Sequence, residues 1–177
     1  MFRQNGAMAR TTGRLLVAMP AMGDTNFERT VLWMLDHDDH GAIGVVLNRP
    51  SEVPVGMHLP QVAAAVEDPD VFFVGGPVST EIVLGLTRDG DGVTSVDLDA
   101  VTSGEVTAPE PLRLFAGYAR WAPGQLEGEL ALDAWLVVEG SIDDVFTSEP
   151  DSLWREVLRR QGGHVGRLAQ FPDEPSL

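Results

Sequence analysis

Asp36-His37-Asp38-Asp39-His40-Gly41 is the densest run of potential ligands and proton carriers in the sequence. As a calcium loop it has acidic residues at positions 1 and 3, His40 at 5 and Gly41 at 6, but Leu47 occupies position 12, where a bidentate glutamate is required. A zinc site needs three or four convergent ligands, and His37 and His40 supply only part of that set. The pattern is better explained as a solvated hairpin tip. Gln125-Leu-Glu127-Gly-Glu129 offers paired carboxylates. At about 100° per residue Glu127 and Glu129 point to opposite sides of a helix, whereas Gln125 and Glu129 share a side. Glu129 with Gln125 is therefore the candidate pair, and Glu127 is expected to face solvent.

Two further motifs sit at the ends of apolar runs. In Asn48-Arg49-Pro50, Arg49 could clamp a carboxylate or phosphate, or could pair with one of the chain's own acids. Gly75-Gly76-Pro77 would let the backbone approach a ligand, yet it lacks the dinucleotide-loop spacing and reads more simply as a turn. There is no G-x-S-x-G elbow and no serine in an activating context. Trp33, Trp121, Trp135 and Trp154 read as core anchors.

These residues need elements to hold them. The largely apolar runs 14–19, 30–35, 42–47, 71–74, 81–87, 93–98, 112–118 and 135–138 predict strands, the second and third joined by the polar loop 36–41 as a hairpin. Pro50 should break the sheet. The segments 58–67, 123–130 and 151–161 predict helices, the last with Leu153, Trp154, Val157 and Leu158 on one face and Gly162-Gly163 as its stop. Strands outnumber helices, and hairpins rather than crossover helices join the early ones, so the fold class is α+β. The organisation expected is a flexible leader at 1–12 (with Met8 as an alternative start), one domain at 13–163 and an irregular tail at 164–177.

Composition narrows the chemistry further. The 177 residues carry 27 acidic and 12 basic side chains, a net charge of −15, with no cysteine and every basic residue an arginine. Thiol catalysis, disulfides, Schiff bases and the P-loop lysine are thereby excluded. The acidity weighs against direct nucleic-acid binding. No apolar run approaches the length of a membrane span, and no signal peptide is evident, so a cytoplasmic location is expected.

Taken in order, Gly13–Pro20, Phe27–Val31, Asp36-His37, Gly41–Pro50, Gly75–Val78, Gly117-Tyr118, Trp121, Gly124–Glu129 and the helix with Trp154 resemble the YqgE/AlgH family of bacterial proteins. The resemblance implies a single domain whose strands curl into an irregular, partly barrel-like mixed sheet flanked by short helices. The family carries a transcriptional-regulator label and no established activity. Its signature positions fall on His37, Gly41, Asn48, Arg49, Pro50, Gly75, Gly76, Pro77, Gln125 and Glu129. This chain departs from the pattern at Arg120, His40 and Leu35, and the leucine stands where some relatives place a cysteine.

The expected function is non-catalytic binding of a small molecule or a protein partner, with no cofactor or metal. The binding residues expected are His37, Asn48, Arg49, Gly75, Gly76, Gln125 and Glu129, with one pocket joining the segments 48–50, 75–77 and 125–129. Two alternatives stay open: a hydrolase using His37 and Glu129, metal-assisted or not, and a transcriptional regulator that acts indirectly.

Overall fold

The computed structural model describes residues 10–172. Its strands are β1 (Leu15–Ala18), β2 (Val31–Asp38), β3 (Gly41–Val46), β4 (Pro50–Pro54), β5 (Val71–Val74), β6 (Val78–Asp89), β7 (Gly92–Val96), β8 (Leu112–Trp121) and β9 (Trp135–Val138). The helices are α1 (Val55–His58), α2 (Leu98–Thr102), α3 (Gln125–Ala131), α4 (Ile142–Val145), α5 (Leu153–Gln161) and α6 (Gly163–Arg167). β4, β5, β8, β3, β2, β1 and β9 lie side by side in that order, while β6 pairs with both β7 and β8. Among the described residues only β5 with β8 is a parallel strand pair. β8 is the spine, joined to β6 along most of its length, to β5 at Phe115 and Ala116, and to β3 at its end.

Alternation along β1 and β2 sends Leu15, Val17, Val31 and Trp33 to one face and Leu16, Ala18, Leu32 and Met34 to the other. α5 covers the first face with Leu153, Trp154, Val157 and Leu158, and the Trp154 indole donates to the Ala18 carbonyl at 2.8 Å. α3 covers the second through Leu126. Burial on both faces is why these strands read as continuous apolar runs. A third cluster gathers Val55 of α1, Val101 of α2, Phe72, Leu112 and Leu114 at the other end of the sheet.

The mixed α+β domain with its curled, half-barrel sheet is the fold expected from the sequence. Several local expectations need correction. Asp36 to Asp38 are strand rather than loop, so the hairpin tip shrinks to Asp39-His40. Pro50 does not end the sheet but opens β4, a strand at one end of the β4-to-β9 order, where its missing N–H is tolerated. Thr11, assigned to the leader, is fully buried. The tail is helical from Gly163 to Gln170, because Val165, Leu168 and Ala169 return to the core after the Gly162 turn. Residues 1–9, including Met8, and 173–177 lie outside the described residues.

Candidate functional site

His37 lies on β2 just past a bulge, where Met34 opposes Gly44 but Asp36 opposes Ile43. The extra residue reverses the alternation, as bulges do. His37 therefore points toward α3, while Asp36 and Asp38 line a cleft on the other face. The imidazole is buried, 3% exposed, and held at both nitrogens. Nδ1 accepts the Thr11 backbone N–H at 3.1 Å and lies 3.0 Å from the Thr11 hydroxyl. That places the proton on Nε2, which donates to Glu127 Oε2 at 3.0 Å. Glu127, expected to face solvent, is thus the partner of His37. A Thr–His–Glu chain has the residue types of a hydrolytic triad, but the Thr11 hydroxyl is buried away from any substrate. Gly41, at φ +130°, closes the hairpin against β8; a Cβ there would stand 2.4 Å from the Trp121 carbonyl oxygen.

Glu129 is not brought to His37. One of its oxygens accepts the indole N–H of Trp121 at 3.0 Å and of Trp135 at 2.8 Å, and the other accepts from Gln125 at 3.1 Å. The Gln125–Glu129 pair forms as helix geometry predicts, and its bonds run to α3's own neighbours. Phe27 packs on both indoles, completing an aromatic cluster around the carboxylate.

Asn48 accepts from the Val31 N–H and donates to the Arg29 carbonyl, at 3.0 and 2.9 Å. Arg49 donates to the carbonyls of Asn26, Thr25 and Glu28 at 2.5, 3.2 and 3.0 Å, so main-chain oxygens rather than an acidic side chain take its fork. Burial lowers the Arg49 pKa, opposed by Glu28 and Asp24. Together the two residues stitch the 24–30 loop to the end of β3. Gly75 and Gly76 cross β8 at backbone contact: a Cβ would stand 2.3 Å from the Gly117 oxygen or 2.2 Å from the Tyr118 carbonyl carbon.

The clefts that open on the surface are lined by other residues. One of about 540 Å³ is walled by Val53, Leu59, Phe72, Val74, Val83 and Ala116, with Ser51, His58, Thr80 and Glu81 as its polar residues. His58 meets the Phe72 ring edge-on, with centroids 6.0 Å apart. On the β2–β3–β8 face, a polar cleft of about 190 Å³ contains Asp36, Asp38, His40 and Arg120. It shares Asp36 and Ile43 with an apolar cleft of about 270 Å³ lined by Leu35, Leu84 and Tyr118. A polar cleft of about 750 Å³ lies between β6 and α5, with Arg88 paired to Asp143 at 3.3 Å. Among the described residues no group of three or more His, Asp or Glu side chains is placed to hold a metal ion.

Sequence reasoning missed Arg113, a fully buried arginine on β8. It donates to the carbonyls of Val145, Thr147, Glu67 and Asp68 at 2.6–3.2 Å, and its guanidinium lies 4.4 Å from the Phe73 ring centroid. Desolvation lowers its pKa to about 10, against the pull of Glu67 and Asp68, so it remains a cation at neutral pH. Its signal was available: one charge inside the apolar run 112–116, in a strand covered on both faces.

A curled mixed sheet between α3 and α5, with its signature residues turned inward as struts, defines a small single-domain α+β half-barrel. The chain belongs to the AlgH-like family, whose model, DUF179, matches residues 15–166. It is 48% identical to the UPF0301 protein SCO2948 of Streptomyces coelicolor, over 94% of each chain. It is 39% identical to a UPF0301 protein of Mycobacterium tuberculosis, over 90% of this chain and 87% of the other. Among solved structures, protein DIP2367 of Corynebacterium diphtheriae superposes with a TM-score of 0.82 at 30% identity, covering 91% of this chain and 92% of that one. The AlgH protein of Pseudomonas aeruginosa superposes with a TM-score of 0.69 at 29% identity, covering 94% and 96%.

Proposed function

We propose that this protein is a non-catalytic binding protein, and that its ligand is a small apolar molecule with a hydrogen-bonding end, seated in the cleft between β4, β5 and β6. The observation that carries this reading is the cleft itself. At about 540 Å³, with apolar walls and a few polar residues, it has the size and lining of small-molecule sites. Val53 and Val74 remain 42% and 40% exposed there, apolar surface that a ligand would cover. Ser51, Thr80 and His58 are available to orient the ligand's polar end. The engagement of His37, Glu129, Asn48 and Arg49 in internal bonds counts against the hydrolase alternative.

Direct DNA contact gains little from the arginines of α5. Arg155 donates to the Ala169 and Phe171 carbonyls, and Arg160 pairs with Asp144. A regulatory role would run through a ligand or a partner, in the cytoplasm. The test is a thermal-shift and calorimetric screen of apolar and aromatic metabolites against the wild type and Val74→Arg. Binding should stabilise the wild type by RT ln(1 + [L]/Kd) and weaken at least tenfold in the variant. If no apolar compound binds, or the variant binds equally well, the seat is misassigned.

A further inference from the structure

The β2–β3–β8 face carries a second, independent arrangement. In the strand register Asp36 opposes Ile43, and Ile43 opposes Arg120. The acid and the base thus flank Ile43 in one cross-strand row, about 10 Å apart at Cα from the usual strand spacing. They form no ion pair with each other. Arg120 is exposed, and among the described residues its side chain makes no hydrogen bond, ion pair or ring contact. Asp36 is held by one oxygen on the His37 N–H at 3.0 Å, and Asp38 by one oxygen on the His40 N–H at 2.7 Å. Each keeps a second oxygen as an acceptor.

Beside this charged row the surface turns apolar. Leu35, Ile43, Leu84 and Tyr118 line the adjoining cleft of about 270 Å³. Leu35, Leu84 and Tyr118 also pack against the core that α5 covers, so the cleft is an uncovered margin of that core. The whole is one trough, charged at one end and greasy at the other.

The charge pattern selects the ligand. A simple anion drawn to Arg120 would face Asp36, Asp38 and a protein of net charge −15. A simple cation drawn to the aspartates would face Arg120. A head group carrying both signs satisfies all three, and mismatched charge is how such sites reject the rest. We propose that the trough binds an apolar α-amino acid, its carboxylate on Arg120, its ammonium on Asp36 and Asp38, and its side chain on Leu35, Ile43, Leu84 and Tyr118.

The experiment uses the full chain, with leucine, methionine and phenylalanine as probes and N-acetyl-leucine and leucinamide as controls that each lack one charge. Calorimetry reads affinity, and the ring signals of Tyr118, the single tyrosine, report the location. At least one free amino acid should bind and shift Tyr118. The derivatives, Arg120→Ala and Asp36→Asn should each weaken leucine-type binding tenfold or more. Both substitutions fall on surface side chains, and the amide oxygen introduced by Asp36→Asn can still accept the His37 N–H. The proposal is overturned if none of the three amino acids binds at millimolar concentration, if either derivative matches leucine, or if Arg120→Ala binds like the wild type. Val74→Arg lies in the other cleft and should leave this binding unchanged, so the two readings stand or fall separately.

Discussion

Arg113 is the largest fully buried side chain among the described residues and among the most informative. An arginine removed from water is tolerated when its donors are met. Here one side chain ties the end of α4 and the residues just after it, through Val145 and Thr147, to the turn before β5, through Glu67 and Asp68. Nε finds no partner among the described residues, so the site is held by the terminal nitrogens and by the Phe73 ring. Arg113→Met keeps much of the apolar stem but strips four carbonyls of a donor. We expect a loss of about 3–5 kcal/mol in urea-induced unfolding, and a loss below about 1 kcal/mol would show those carbonyls to be satisfied otherwise. His37 works on the same principle with a neutral ring, joining the Thr11 segment and α3 to β2.

At the level of elements, β8 sets the geometry. The 75–76 segment must pass over it at backbone contact to connect β5 with β6, and no side chain fits between. Gly76→Ala should therefore cost about 3 kcal/mol or more, since the Cβ would meet rigid main chain rather than a flexible side chain. Denaturant midpoints for Gly76→Ala and for Gly128→Ala, where nothing lies within 4 Å of the added carbon, give the comparison. Gly128 sits inside α3, so its substitution should be neutral or stabilising by about 0.5–1 kcal/mol. Equal effects at the two sites would refute the contact argument. The bulge in β2 is the other decisive element, because it decides that His37 turns toward α3 while Asp36 and Asp38 turn toward the trough.

For the molecule as a whole, the charge of −15 is dispersed rather than spent in one site. The ion pairs Arg14–Glu139 and Arg88–Asp143 are exposed and contribute little. Self-repulsion among the remaining acids should dominate long-range electrostatics, and salt screens it. The melting temperature at pH 7 is expected to rise by several degrees between about 20 mM and 500 mM sodium chloride. A falling melting temperature would mean that favourable ion pairs outweigh the repulsion.

Much of this was legible before any coordinates. Continuous apolar strands, the amphipathic helix read at 151–161 and the ordered motifs define an α+β domain, since periodicity and turn chemistry are local properties of the chain. The Gln125–Glu129 pair followed from helix geometry for the same reason. What the chain could not show is which side of an element faces what. A one-residue bulge turned His37 inward and made Glu127 its partner. Main-chain oxygens, invisible to residue-type reasoning, captured Arg49 and Arg113. The trough at Arg120 and the cleft at Val74 exist only because strands distant in sequence become neighbours in the sheet. Local sequence determined the elements and the excluded chemistries, and tertiary packing decided which polar groups are struts inside the fold and which line its surface clefts.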